Sequence, residues 1–199
     1  MPHSPPAPSA PPLPDTLAGL RAEAFRRLAC GVEDRGSPFR TPTLATIGLD
    51  GAPAQRSLVL RAVDAAARRL ALHTDRRSAK CAELAADSRA ALHIHDPAAG
   101  IQLRLSGRAA LHVGDAAAEA AWAACPPASR LSYAALSGPG RPVAAPPPAP
   151  DDAAGAAAQF ALIRFTFDRM EWLDLRRAGH RRARFLWTAD GLHETWLVP

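Results

Sequence analysis

Gln55-Arg56-Ser57-Leu58-Val59-Leu60-Arg61, followed by Arg69-Leu70-Ala71-Leu72-His73-Thr74 and then Asp75-Arg76-Arg77-Ser78-Ala79-Lys80, combines strand alternation, basic residues and a helix start in 26 residues. Its first segment alternates as a strand does: Arg56, Leu58 and Leu60 share one face, and Ser57, Val59 and Arg61 share the other. Its second segment is strand-like from Arg69 to Thr74. Ser78 stands where it can cap a helix running to about Ala86. A helix N-terminus presents unpaired N–H groups and a partial positive charge. Two strands that deliver arginines, a hydroxyl and a lysine to such a terminus predict a phosphate site.

Working outward, Thr43 to Ile47 is strand-like, and Asp50-Gly51 is a hairpin signal that pairs it antiparallel with the strand of Arg56. Strands are also predicted over Ala90 to His95, Ile101 to about Val113, Phe160 to Phe167, Met170 to Leu175, Arg182 to Trp187 and Leu192 to Val198. The last two are joined at Asp190-Gly191. Asp15 or Thr16 can cap a helix through about Cys30 with Gly31 just past its end, and Asp115 an alanine-rich helix to about Ala124. A short helix is predicted from Pro126 to Leu136, and residues 137–150 are too rich in Pro, Gly and Ala for regular structure. Many antiparallel strands with interspersed helices predict a mainly β, α+β fold: a closed barrel with helical additions. The chain carries no G-x-G-x-x-G fingerprint that would favour a doubly wound sheet.

The chain has 199 residues, 48% of them hydrophobic, enough for one domain with a proper core. No run has the length of a membrane span. Residues 1–14 are rich in Pro, Ala and Ser and read as a disordered tail, leaving 15–199 as a single domain. Cys30, Cys81 and Cys125 are odd in number and far apart, which argues against a disulfide framework or a zinc site and makes a reducing cytoplasm the simplest setting. His93 and His95 share a strand face but have no third metal ligand at a suitable spacing, so no metal is expected. The formal charge of +5 suits an anionic ligand. Its basis is 23 arginines and one lysine, Lys80, inside the proposed phosphate site. An ammonium is a compact point charge where a guanidinium is a planar fork, so a site needing the former resists exchange.

Taken in order, Arg56-Ser57-Leu58-Val59-Leu60-Arg61, Leu72-His73-Thr74-Asp75, Ser78-Ala79-Lys80, Gln102-Leu103-Arg104-Leu105-Ser106-Gly107, Trp172 and His180-Arg181-Arg182 resemble the motifs of the pyridoxamine 5'-phosphate oxidase family. The resemblance extends from about Phe39 to Pro199 and implies an FMN-binding split β-barrel. It further implies a homodimer with FMN at the interface, acting as an oxidoreductase on a small molecule. It places Arg56, Ser57, Leu58, Val59, Arg61, His73, Thr74, Ser78, Lys80, Gln102, Trp172 and Arg182 at the cofactor, and Arg61 and His180 at the substrate. Catalytic residues are not assigned by it.

The departures from the family pattern fall mostly on the substrate side. Arg61 stands for a lysine, Ala79 for an arginine that Arg76 or Arg77 can replace, and Ala178 for an arginine that helps hold substrate. The expected function is therefore an FMN flavoprotein with an altered substrate site. The alternatives are a genuine pyridoxine or pyridoxamine 5'-phosphate oxidase, a non-catalytic flavin or haem carrier, and a basic nucleic-acid binder. The arginine cluster from Arg176 to Arg184 lacks the interleaved aromatics of a stacking platform, which disfavours nucleic acid.

Overall fold

A computed structural model describes residues 13–176 and 179–199. Among the described residues nine strands form one antiparallel sheet: β1 (Thr43–Ile47), β2 (Pro53–Ser57), β3 (Leu60–Asp64), β4 (Arg69–Asp75), β5 (Arg89–Asp96), β6 (Ile101–His112), β7 (Phe160–Asp174), β8 (Arg181–Thr188) and β9 (Gly191–Leu197). Their order is β2-β1-β5-β6-β7-β4-β3, with β8 added on β7 and β9 on β8. The strands at the two ends of that path, β2 and β3, are separated in sequence by Leu58 and Val59 alone. A two-residue link can join opposite edges only if the sheet curls onto itself.

The predicted single strand from Gln55 to Arg61 is therefore two. β2 pairs with β1 and β3 with β4, so Arg56 and Arg61 sit on different strands. The reverse correction applies to Phe160 to Leu175, which is one strand rather than two. Along one edge its residues Phe160 to Thr166 pair with β4 and Arg169 to Asp174 with β8, and that division splits the barrel wall. The β6–β7 register shifts at Ser106/Gly107, and a Cβ on Gly107 would lie 2.1 Å from the Thr166 carbonyl oxygen, so the backbones cross where no side chain fits.

Helix α1 (Leu17–Glu33) covers the barrel with Leu20, Ala24 and Leu28, all fully buried, and Thr16 caps it by accepting from Gly19 N–H at 3.1 Å. It runs past Gly31, which lies inside the helix because the Phe39 backbone packs within 2.6 Å of where its Cβ would be. Leu13 is buried in the same core, so the packed chain begins before the expected boundary at residue 15; residues 1–12 of the expected tail lie outside the described residues. The core holds Phe39, Phe165, Phe167, Trp172 and Phe185.

Helix α2 (Ala79–Ala86) follows β4. Helix α3 (Ala116–Ala123), capped by Asp115, forms a second small cluster on the outside of β7 with Phe160, Leu162, Cys125 and Tyr133. Helix α4 (Pro127–Arg130) is a single turn continued by a tight 3₁₀ turn at Leu131–Tyr133. The predicted extension to Leu136 fails because Tyr133 is the buried anchor, while Leu136 is 98% exposed.

Candidate cofactor site

Ser78 occupies the N-cap position of α2, but its hydroxyl donates to the Asp75 carbonyl at 2.7 Å instead of accepting from the helix. The first turn of α2 is left without a side-chain cap. Beside it, the Lys80 ammonium donates to Thr74 Oγ1 at 3.2 Å, and Thr74 lies 3.3 Å from Ser78 Oγ. Burial holds the Lys80 ammonium below its ordinary pKa, and the Arg56 charge adds to that depression. An anion placed here would relieve both effects. The ammonium and the helix N-terminus fit a terminal phosphate, and the Thr74 and Ser78 hydroxyls can turn from their present partners to join them.

Sequence reasoning missed two partners of this cluster. Glu83, on α2, accepts from Arg56 Nη2 at 2.7 Å and from Thr46 Oγ1 at 2.5 Å, while Arg56 also donates to Thr46. The two arginines that could stand for the one absent at Ala79 make other contacts. Arg77 donates to Asp75 Oδ2 at 2.6 Å and to the Leu136 carbonyl, and exposed Arg76 reaches the Ala158 carbonyl.

A second group lies on β6, β7 and β8. Gln102 faces Leu173, which faces Arg182, so these side chains form one row across the sheet. Arg182 donates to Glu171 Oε2 at 2.6 Å. Burial works against the Glu171 carboxylate, but the hydrogen bond and charge of Arg182, with the charge of Arg104, hold it below the usual carboxylate range. Trp172 is on the opposite face, fully buried in the core with the Arg27 guanidinium 5.9 Å from its ring centre. The expectation that Trp172 meets the cofactor is corrected accordingly: a side chain with no exposed surface has none to offer, and strand alternation gives its neighbour Leu173 the place beside Gln102 and Arg182.

A third group consists of Arg61 and His73, which line a cavity of 540 Å³ under α3. Burial, reinforced by the Arg61 charge, lowers the His73 pKa to about 4, so the imidazole is neutral at pH 7. Among the described residues its Nδ1 and Arg61 Nε are buried without a hydrogen-bond partner. Ser57 is exposed, and Leu58 and Val59 are half-buried in the β2–β3 link. His180 is exposed and lines a different cleft with Leu13, Asp15 and Arg181, so it joins none of the three groups. Ala178 lies outside the described residues. His93 and His95 are both exposed, on the outer face of β5. No helix among the described residues is long and apolar enough to cross a membrane.

Comparison with known proteins bears on the same elements. Residues 23–113 match the model of the pyridoxamine 5'-phosphate oxidase FMN-binding domain. A pyridoxine/pyridoxamine 5'-phosphate oxidase of Anaeromyxobacter dehalogenans is 37% identical over 94 residues, 47% of this chain, and the match spans less than half (44%) of that protein's length. A pyridoxamine 5'-phosphate oxidase-related, FMN-binding protein of Nostoc punctiforme superposes with a TM-score of 0.74 at 24% identity, covering 91% of this chain and 96% of that one. The chain has the split-barrel fold of the pyridoxamine 5'-phosphate oxidase-related proteins. PhzG of Burkholderia lata 383, solved in complex with tetrahydrophenazine-1-carboxylic acid, superposes with a TM-score of 0.69 at 21% identity over 89% of this chain and 91% of its own. The split-barrel expectation is thus met in fold.

Proposed function

We propose that this split-barrel chain is an FMN-dependent oxidoreductase of a small molecule, working as a cytoplasmic homodimer, with a substrate site altered from that of the pyridoxine phosphate oxidases. The observation that carries the cofactor reading is the joining of Lys80 and Thr74 at 3.2 Å beside the uncapped first turn of α2. When bound, the flavin supplies the redox chemistry, and the protein supplies binding, orientation and electrostatics.

In this reading Lys80, Thr74 and Ser78 hold the phosphate. The Gln102 amide both donates to and accepts from the ring edge. Arg182, oriented by Glu171, brings positive charge to the same face. No hydrogen bond among the described residues joins the Lys80 cluster to the Gln102–Arg182 row. A dimer in which one protomer supplies the cluster and its partner the row accounts for that separation.

Titration followed by flavin fluorescence tests the assignment. FMN is expected to bind more tightly than riboflavin, and equal affinity for the two would overturn the phosphate site.

A further inference from the structure

The cavity under α3 has a composition that the cofactor site does not use. One wall is the alanine face of α3, with Ala117, Ala120, Ala121 and Ala124. The opposite wall is the outer face of β3, β4 and β7, which carries Arg61, Arg69 and Arg164. Ala71 faces Arg164 across the β4–β7 ladder, and Arg69 is two residues before Ala71 on the same strand face. The two arginines are therefore diagonal neighbours, roughly 7–8 Å apart by sheet geometry.

Neither Arg69 nor Arg164 has an ion-pair partner among the described residues, although Asp64 faces Arg69 in the β3–β4 register. The Asp64 carboxylate accepts instead from the Ala67 N–H of its own turn at 2.9 Å. The same two arginines also line a neighbouring cavity of 550 Å³ that contains Arg108, so they stand at the boundary of two basic compartments. Like charges held side by side repel, and an oxyanion between them reverses that sign with two-pronged hydrogen bonds.

We propose that this cavity binds an amphipathic organic anion, its apolar body against the alanine wall and its carboxylate or phosphate head between Arg69 and Arg164. The volume of 540 Å³ suits a small organic molecule and far exceeds what a bare oxyanion fills. A wall of methyl groups offers no hydrogen bonds, so it selects a ring or chain without polar substituents on that side. His73, neutral at pH 7, adds a polar edge without adding charge. Assigning this anion as the substrate of the flavoprotein rests on the function proposed above; the binding itself does not.

Calorimetric titration of the FMN-loaded full chain with naphthoate, naphthyl phosphate, naphthalenemethanol and inorganic phosphate tests it. One or both organic anions are expected to bind at least about tenfold more tightly than either the alcohol or inorganic phosphate; the preferred one identifies the head group. Arg164→Ala should weaken that binding at least about tenfold and Arg164→Lys less. Ala121→Trp, which fills the cavity, should abolish it, and Ala121→Leu serves if the larger ring prevents folding. All of these variants should retain FMN. Equal binding of the alcohol, equal binding of inorganic phosphate, or indifference to both Ala121 variants would overturn the proposal. Binding of the organic anions in a chain that takes up no FMN would sink the flavoprotein reading and leave the cavity assignment standing. The reverse pattern would do the opposite.

Discussion

Glu83 Oε2 accepts from Arg56 Nη2 at 2.7 Å, tying helix α2 to strand β2 across 27 residues of sequence. The same oxygen accepts from Thr46 on β1, so the helix that carries Lys80 is fixed to the first hairpin through one buried carboxylate. Removing that carboxylate leaves a guanidinium and a hydroxyl without their acceptor. Glu83→Ala is expected to cost about 1–3 kcal/mol of stability, and Glu83→Gln less, because its amide oxygen still accepts. Urea denaturation midpoints check this, and an unchanged midpoint in Glu83→Ala would show that water replaces the carboxylate without loss.

Trp172 and Leu173 should separate stability from binding. Trp172 is fully buried, so Trp172→Ala is expected to cost about 3–5 kcal/mol, the usual penalty for emptying an aromatic site in a core. Leu173 is half-buried beside Gln102 and Arg182, so Leu173→Glu should reduce FMN affinity with a smaller effect on folding. Thermal denaturation and fluorescence titration read the two effects. Undiminished FMN binding in Leu173→Glu would remove this row from the cofactor site.

The His73 pKa of about 4 makes a signed prediction about pH. The unfolded chain takes up this proton near the ordinary histidine value of about 6.5, whereas the folded chain resists it. Protons therefore favour the unfolded state between those two values. The contribution of His73 to stability is complete above pH 6.5 and is lost as the pH falls toward 4. His73→Phe keeps a ring against Phe160 and should flatten stability over that interval. Denaturation midpoints at several pH values measure the slope, and identical slopes in both proteins would show that other groups set it.

The antiparallel architecture was legible because alternation and the turns at Asp50-Gly51 and Asp190-Gly191 are local properties. The break at Leu58-Val59 was not, because side chains alternate alike whether a strand keeps its partner or exchanges it. The continuity of β7 was hidden for a related reason: its bulge interrupts the period near Asp168 and mimics an ending. At the site, the arrangement of Thr74, Ser78 and Lys80 follows from a short strand-to-helix turn and was readable. The Glu83 pairing and the approach of Arg69 to Arg164 depend on folding distant segments together, and neither leaves a one-dimensional trace. Trp172 stands one position from the Gln102–Arg182 row, and on a strand a single position exchanges the outer face for the core.

Lys80 is half-buried and bonded to Thr74, so its charge is only partly screened. Lys80→Ala should weaken FMN binding at least about tenfold, or about 1.4 kcal/mol, with a smaller difference at high salt. Riboflavin, which lacks the phosphate, should be nearly indifferent to the change. An unaltered FMN dissociation constant at low salt would place the phosphate elsewhere.

Pyridoxine 5'-phosphate should be a poor substrate, and the reason lies in what faces the cavity under α3. Arg61, Arg69 and Arg164 can attract its phosphate, but the wall that would meet its ring is made of Ala117, Ala120, Ala121 and Ala124. A ring bearing hydroxyl groups and a nitrogen would lose hydrogen bonds to water there without regaining them, at about 1–3 kcal/mol for each group left unpaired. Cys125 is buried in the small cluster with Tyr133 and Phe160, so it presents no charge or donor to the ligand side. His180, which by sequence stood at the substrate, lies in a separate cleft with Leu13 and Asp15. Two unpaired groups are enough for a loss on the order of a hundredfold in kcat/KM. FMN-loaded protein should accordingly be bleached readily by dithionite and only slowly by pyridoxine 5'-phosphate in anaerobic stopped-flow. Rapid bleaching by that compound, with pyridoxal 5'-phosphate formed on admitting oxygen, would instead show a vitamin B6 oxidase that holds its substrate away from the alanine wall.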